Sequence, residues 1–586
     1  MPKRSGPIVP APAHLPKKKK VKRVDPDDEM PPPELVAAVP TQPSPDASAS
    51  ASPKPKKKKL PAPPAPPEEG VAEDGGGADA SLQTVADGRT FIGQTGLEIA
   101  AQPDRSDKAL RFLTWLVGPV RSDAFLAENY GRQPLHVARA DRTYYDGWFS
   151  RAEIERQLRE CSLRWTDEVD AARYVDGVRT THNGEGVAHA EDVWARYAEG
   201  CSVRLSWPQR HSDPLWQMLS SLEELFGCMA GANAYLTPKG SQGFAPHWDD
   251  IDALVLQLEG AKTWKVYAPR STDEALPRFS SPNLEQDELG PLLGEVTLQP
   301  GDLLYLPRGY VHQAKAAQVD SLHVTASLAR QHTWRDLLEF GVFGAMESLT
   351  VEQPSWRETL PVDLWDRMGI LHQPTEEEEA AAEAQAAAQA QADGEGSTAA
   401  AAGLDAESLE RARVAFGIPA ASTSAAEHIS RRAAIEQRLR TMLHDLVDSL
   451  PLDAMCDQFA CQRYLHERLP PPPAAADAAR QPADAEEVQL DSKIRLSSRH
   501  VARLAIEDGV AALYYCSDNT RVYRERDEPE KIDFAIEAAP ALEHVLTCYP
   551  KFVSVRKLPG DSDAQRLDVA RALAEAKCVL VKGKDQ

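Results

Sequence analysis

The stretch PHWDD, Pro246 to Asp250, interrupts a long alternating apolar run with an imidazole, an aromatic ring and two carboxylates. Side chains at alternate positions of a strand share a face. His247 and Asp249 therefore present an imidazole and a carboxylate together. His312, in GDLLYLPRGYVHQA, offers a second imidazole: a strand LLYL passes through a Pro-Arg-Gly turn into YVHQA. In a jelly-roll barrel distant strands converge at one mouth, where these three side chains can meet. Two imidazoles and one carboxylate on one face leave adjacent positions open, the donor set of an Fe(II) centre that holds both a cosubstrate and dioxygen. No thiolate accompanies them, which argues against a structural metal site. An H-x-D alone is a weak signal. Followed at a distance by a His after G-D-x-x-x-L-P-x-G, it is a much stronger one. His323, in LHVTASL, is a rival ligand, but a sheet histidine packed near the site is the simpler reading.

The next residues extend the chemistry. ALVLQLEGAKTWKVYAP reads as a strand, a Glu-Gly turn and a second strand, in which Lys262, Trp264 and Val266 share one face. An inward lysine needs an anion to stay charged. A dicarboxylate cosubstrate such as 2-oxoglutarate supplies one, its other end chelating iron. Taken alone, a lysine that snorkels to solvent beside the turn is an equal reading. Beside the triad, the anion role is favoured. Asn233 and Tyr235, in ANAYLTP, share a face shortly before the H-x-D and could hydrogen-bond the cosubstrate or orient a ligand. Satisfying polar groups in a core explains them almost as well. Thr325 and Ser327, in HVTAS, are candidates of the same kind, Thr325 being carried as a further cosubstrate contact.

Several elements must position these groups. From Leu163 onward the pattern shortens into strands: RYVDG (Arg173–Gly177), SVRLSW, then a helix to Gly227, NAYLTP, ALVLQLEG, KTWKVYAP, EVTLQPGDLLYLPRGYVHQA and LHVTASL. Short strands with closely spaced Gly and Pro turns predict a sandwich or barrel. Helices precede it, ALRFLTWLVGPV and FSRAEIERQLREC, and follow it, TWRDLLEFGVFGAMESL and RRAAIEQRLRTMLHDLVDSLP. Low-complexity stretches at 376–403 and 468–487 read as linkers. In the last hundred residues, KIRLSS predicts a strand, HVARLAIEDG a helix, and AALYYC with RVYRE a hairpin wing. Two helical stretches and KCVLVKG close the chain, together a winged-helix-like module. Its 16 Lys and Arg balance 16 Asp and Glu over residues 491–586, which favours a protein-interaction or structural role over reading DNA.

Bulk properties bound the rest. The 586 residues are 42% hydrophobic, enough for a core, and no run approaches a membrane span. The N-terminus lacks the apolar block of a secretory signal. Eight cysteines form no C-x-x-C pair, which argues against a structural zinc site, and their sparse use suits a reducing compartment. Residues 1 to 88, rich in Pro, Ala, Ser and Gly, are expected to be disordered. Their basic blocks KKKKVKR (17–23) and KPKKKK (54–59) fit nuclear or nucleolar import, or a phosphate-binding arm. Residues 1–60 carry 13 Lys and Arg against 6 Asp and Glu, so of the net −23 the remaining chain carries −30. That acidic body disfavours direct nucleic-acid binding outside the tail and suits a basic partner.

The segment ANAYLTPKGSQGFAPHWDDIDALVLQLEGAKTWKVYAP, with GDLLYLPRGYVHQA, resembles the JmjC-type ribosomal oxygenases, and within them the nucleolar histidyl-hydroxylase branch. YVDGVRT, SVRLSWPQ, LEELFGCMAGANAYLTP, MCDQFACQRYLHERLPPPP and the C-terminal module extend the resemblance over roughly 90 to 586, with inserts at 373–430 and 470–490. The resemblance implies an α+β chain. A double-stranded β-helix core (jelly-roll, cupin-like) spans 90–333, a helical dimerisation region 334–470, a linker 471–490 and a winged-helix-like domain 491–586. It implies Fe(II) on His247, Asp249 and His312, and 2-oxoglutarate anchored by Lys262 with Asn233 and Tyr235 nearby. The implied reaction is O2-dependent hydroxylation of a histidine in a large-subunit ribosomal protein. Histone lysine demethylation at the same iron centre is the alternative, and a non-catalytic nuclear scaffold is the reading from another class. A basic protein substrate, a homodimer and a place in the nucleus and nucleolus follow from the same resemblance. Trp248 departs from the pattern, where Tyr is more familiar, and so does the long Glu/Ala insert.

Overall fold

The computed structural model describes residues 81–582 except 90–92, 103–106, 363, 383, 385–424, 474–484 and 523–524. The two basic blocks and much of both inserts lie outside the described residues. No helix among those residues is long and apolar enough to cross a membrane.

Ten strands share one large mixed sheet: β1 (Gln83–Asp87), β2 (Leu135–Arg139), β3 (Val169–Val175), β4 (Val178–Thr181), β5 (Ser202–Ser206), β6 (Ala230–Thr237), β7 (Asp252–Tyr267), β8 (Leu292–Leu298), β9 (Leu303–Leu306) and β10 (Val311–Leu328). Their order is β1-β2-β9-β7-β10-β6-β5-β3-β4, with β8 on the free flank of β7. β7 and β10 pair antiparallel from end to end, with register breaks between Ala316 and Ser321 and between Leu322 and His323. The first half of β7 pairs with β9 and its second half with β8, so the strand passes from one layer of the roll to the other. The expected turn at Glu259–Gly260 is thus a bend inside one strand. Gly260 takes φ +62°, and a Cβ there would lie 1.7 Å from the Asp320 carbonyl oxygen, so only glycine fits the corner.

Alternation along these strands separates two apolar layers. Leu254 and Leu256 of β7, and Ala232, Ala234 and Leu236 of β6, face an outer core. That core is covered by helices α1 (Lys108–Val117), α2 (Arg151–Glu160), α3 (Ala190–Ala198) and α4 (Asp213–Phe226). Ala253, Val255, Trp264 and Val266 turn inward with Leu304 and Leu306. The inner layer is short and gives way to polar side chains at the mouth of the roll.

Order begins earlier than the tail composition predicts. β1, within the stretch expected to be disordered, pairs parallel with β2 from Gln83 to Asp87, and Val85 packs on the outer core. Backbone pairing, this contact and the side-chain hydrogen bonds of Gln83 with Asn129 and of Thr84 with His136 hold the strand in place. The strand expected over Arg173–Gly177 is the end of β3. Asp176 and Gly177, at φ +51° and +82°, turn it back into β4.

After the roll come α5 (Trp334–Glu352), α6 (Ala425–Asp448) and α7 (Leu452–Phe459). Residues 376–382 of the expected linker are helical, and the start of α6 reaches into the expected insert. The C-terminal module holds two three-stranded sheets: β11 (Lys493–Leu496), β15 (Val553–Ser554) and β16 (Val579–Lys582) in one, β12 (Ala502–Glu507), β13 (Val510–Tyr515) and β14 (Glu530–Ala535) in the other. Helices α8 (Ala539–Thr547) and α9 (Asp563–Glu575) pack on them. Two expectations are corrected here. HVARLAIEDG contains β12, not a helix, and β13 pairs with β12 and β14, while the middle of RVYRE lies outside the described residues. Asp508 and Gly509, at φ +48° and +80°, are the two-residue hairpin signal that the good helix formers around them mask.

Candidate metal centre

PHWDD does not lie in a strand. It sits in the loop between β6 and β7, and of its residues only His247 pairs, bridging to His312 at the start of β10. Two backbone hydrogen bonds make that bridge: His247 N donates to His312 O at 3.2 Å, and His312 N donates to His247 O at 2.9 Å. A third bond, Gly309 N to Asp249 O at 3.2 Å, fixes the loop against the Pro-Arg-Gly turn. Main-chain bonds between the two segments thus bring the three side chains together. His247 Nε2 lies 3.8 Å from Asp249 Oδ1, and His312 Nε2 lies 3.8 Å from Asp249 Oδ2. One donor atom from each of the three falls within 4.8 Å of the others.

The donor set fits a divalent transition metal. His247 Nδ1 lies 2.8 Å from Ala245 O, and His312 Nδ1 lies 3.1 Å from Tyr310 O. A carbonyl oxygen only accepts, so each Nδ1 carries the proton and each Nε2 keeps its lone pair for a metal. Burial and the neighbouring His247 hold the His312 ring well below the usual imidazole pKa, in the neutral form that ligation needs. His323, the rival, is not in this cluster. It stacks on Tyr235 with ring centroids 4.8 Å apart, and Trp264 meets it edge-on at 5.4 Å.

The triad opens into a cavity of about 500 Å³ whose lining includes Asn233, Tyr235, Lys262, Trp264, His323, Thr325 and Ser327. Every residue predicted for the site therefore borders one space. Lys262 is 5% exposed. Its Nζ donates to Thr237 Oγ1 at 3.1 Å, and Thr237 in turn accepts from Ser202 Oγ at 3.2 Å. Burial alone pulls the Lys262 ammonium down to about 7. Asn233 Nδ2 and Tyr235 OH are 3.5 Å apart, a long contact that leaves both groups capacity for a ligand.

Thr237 was missed from sequence, although period 2 places it on the same face of β6 as Asn233 and Tyr235. The mouth was missed too. Arg204 there is paired with Asp170, and Asp250 accepts from Ser280 Oγ at 3.0 Å and from Arg330 Nε at 3.1 Å. Trp248 packs away from the cavity against Tyr267, Leu284 and Val311, its Nε1 donating to Phe279 O at 3.2 Å. Outside PHWDD, no local motif marks Arg204, Ser280 or Arg330.

Residues 204–337, which hold the triad and both long strands, match the JmjC domain family. Residues 472–583 match the C-terminal winged helix domain of ribosomal oxygenase 1. The chain is 36% identical over 494 residues to ribosomal oxygenase 1 of Gallus gallus, covering 82% of this chain and 73% of that protein. It is 35% identical over 499 residues to ribosomal oxygenase 1 of Homo sapiens, covering 83% and 69%. A Dictyostelium discoideum relative, the bifunctional lysine-specific demethylase and histidyl-hydroxylase NO66, is 34% identical over 494 residues, covering 83% and 85%. Among solved structures, the Escherichia coli ribosomal oxygenase YcfD in complex with cobalt and 2-oxoglutarate aligns over 79% of this chain and 99% of its own, at 15% identity and a TM-score of 0.38. Fold and site are those of a JmjC protein with a cupin-like roll and a C-terminal winged helix. Within that class, the chain belongs to the ribosomal oxygenase 1 family.

Proposed function

We propose that this chain is an Fe(II)- and 2-oxoglutarate-dependent dioxygenase that hydroxylates a histidine of a large-subunit ribosomal protein. One observation carries the reading. A single cavity joins three convergent ligand atoms to a buried lysine that donates to a threonine hydroxyl. His247, Asp249 and His312 would hold the iron, and Lys262 with Thr237 would seat the far carboxylate of the cosubstrate. Iron with 2-oxoglutarate supplies the activation of dioxygen that no side chain here can provide. The protein's own part is orientation and exclusion. The Nδ1 hydrogen bonds hold both imidazoles by their far edge, Lys262 keeps its proton once an anion faces it, and Val255, Trp264 and Leu306 keep water off the inner wall. The acidic body suits a basic substrate.

The name of the Dictyostelium relative supports a second reading, lysine demethylation at the same centre. The two differ only in the substrate group brought to the metal. A mass gain of one oxygen on a ribosomal histidine peptide, absent in His247→Ala and Lys262→Ala, would establish the hydroxylase. Loss of a methyl group from a histone peptide would establish the demethylase. Metal binding with neither product would leave a scaffold.

Two further features support the wider reading. Leu439, Leu443 and Val447 form an exposed apolar stripe on α6, and Trp334 and Phe343 are exposed on α5, a surface that suits a second copy of the chain. The basic blocks suit import to the nucleus and nucleolus.

A further inference from the structure

The smaller sheet of the C-terminal module carries a row of cations on its outer face. Lys493 of β11 lies directly opposite Ser554 on one side and Lys582 on the other. Directly opposed residues of antiparallel strands point to the same face. Ile494, Val553 and Val581 meanwhile turn to the module's core. Like charges set directly opposite one another destabilise a sheet. Among the described residues no carboxylate pairs with either lysine, and Asp491 is held by Arg556 at 3.0 Å. Lys557 and His544 complete the rim of a cavity of about 430 Å³ against Phe552. Lys582 Nζ rests 4.4 Å from the Phe552 ring centroid. From His544 to Gly560 the chain contains Lys551, Arg556 and Lys557 and no Asp or Glu. The module's balance of 16 cations and 16 anions therefore hides a segregated basic face.

We propose that this face binds the phosphodiester backbone of single-stranded nucleic acid. Phosphates seat on Lys493, Lys557 and Lys582 and relieve the repulsion across β11 and β16. Lys582 swings from the ring to a phosphate, and the freed face of Phe552 takes a base. Every base has a π-face, so an aromatic ring within a cationic groove selects unpaired strands over duplexes and over acidic peptides. The site is remote in sequence from the metal ligands and does not depend on the reaction proposed for them.

The test uses the full chain and fluorescence anisotropy with labelled single-stranded RNA and DNA of one sequence over a range of salt. The basic tail is present in every protein compared, so differences report on this face. Lys493→Glu/Lys582→Glu should weaken binding at least ~10-fold at low salt and lower the log–log salt slope by about 1.4, the loss of two single-strand phosphate contacts. Phe552→Ala should weaken it roughly 10-fold. Lys493→Glu alone replaces repulsion with an opposite-charge pair. It should keep or raise the thermal midpoint while binding falls, which separates lost binding from lost folding. The RNA and DNA arms tell which polymer is held. Unchanged affinity and slope in the double variant would overturn the proposal. So would duplex binding as tight as single-strand binding, or equal displacement by polyglutamate with Phe552→Ala silent, since either would point to an unspecific or acidic-protein partner.

Discussion

At the scale of single residues, the ligand chemistry was legible because it depends on residue type and short spacing. His247 and Asp249 are two apart, and His312 follows a turn that the sequence spells out. Lys262 was legible by strand alternation. Its partner Thr237 obeys the same alternation but was passed over. The buried Lys262 ammonium makes two predictions. Its pKa falls from 10.5 in the unfolded chain to about 7 in the fold. Between those values the unfolded chain holds a proton that the folded chain has released, so stability rises with pH across that window. Lys262→Met should remove that rise in denaturant titrations of the ligand-free protein and leave it as stable or more so. A bound dicarboxylate needs the charged form. Affinity for 2-oxoglutarate, measured by calorimetry, should therefore fall above pH of about 7, by at most ~10-fold per pH unit, and the Met variant should bind weakly with a flat profile.

At the scale of elements, periodicity identified most strands and misjudged where they turn. Sequence divides β7 at Glu259–Gly260, because a glycine in a strand pattern ordinarily signals a break. It is instead the corner at which one strand changes layer. Gly260→Ala should cost roughly 2–4 kcal/mol in chemical denaturation, because a methyl group there collides with the Asp320 carbonyl. It should also lower 2-oxoglutarate affinity, since the same bend brings Lys262 and Trp264 to the cavity. The Arg, Leu, Ala and Glu content of β12 by itself favours a helix. Pairing with β13 and burial of Ala502 and Ala505 override that preference.

At the scale of the whole molecule, a buried ionic network joins the roll to the C-terminal module. The fully buried Arg468 donates to Glu224 of α4 at 2.5 Å and to the His500 carbonyl at 2.9 Å. Glu223 accepts from Leu469 N at 3.1 Å, and Ser498 Oγ donates to Glu224 at 3.0 Å. Trp216 Nε1 donates to Pro470 O at 2.7 Å beside it. Arg468→Met should cost about 3–5 kcal/mol, because it leaves the Glu224 carboxylate buried without its cation, while burial already favours the neutral form of Glu223. Limited proteolysis should then release the C-terminal module while the metal cluster survives. The exposed stripe on α5 and α6 makes a separate prediction. If it is a self-association surface, Phe343→Glu with Leu443→Glu should convert a dimer to a monomer in sedimentation, with no change in the folding of the roll.

The sequence by itself determined the chemistry available: the two imidazoles and carboxylate, the inward lysine, the acidic body and the order of most elements. These depend on residue type and on periods of two or of three to four, which are local. Only the tertiary structure decided that PHWDD is a loop held by backbone bonds to β10, and that β7 is one bent strand. It also decided that Arg468 closes the interface and that the lysines of β11 and β16 stand opposite one another. Each of those depends on which distant segments pair and in what register. Register is set by burial summed over whole strands, a quantity that no short stretch of chain contains.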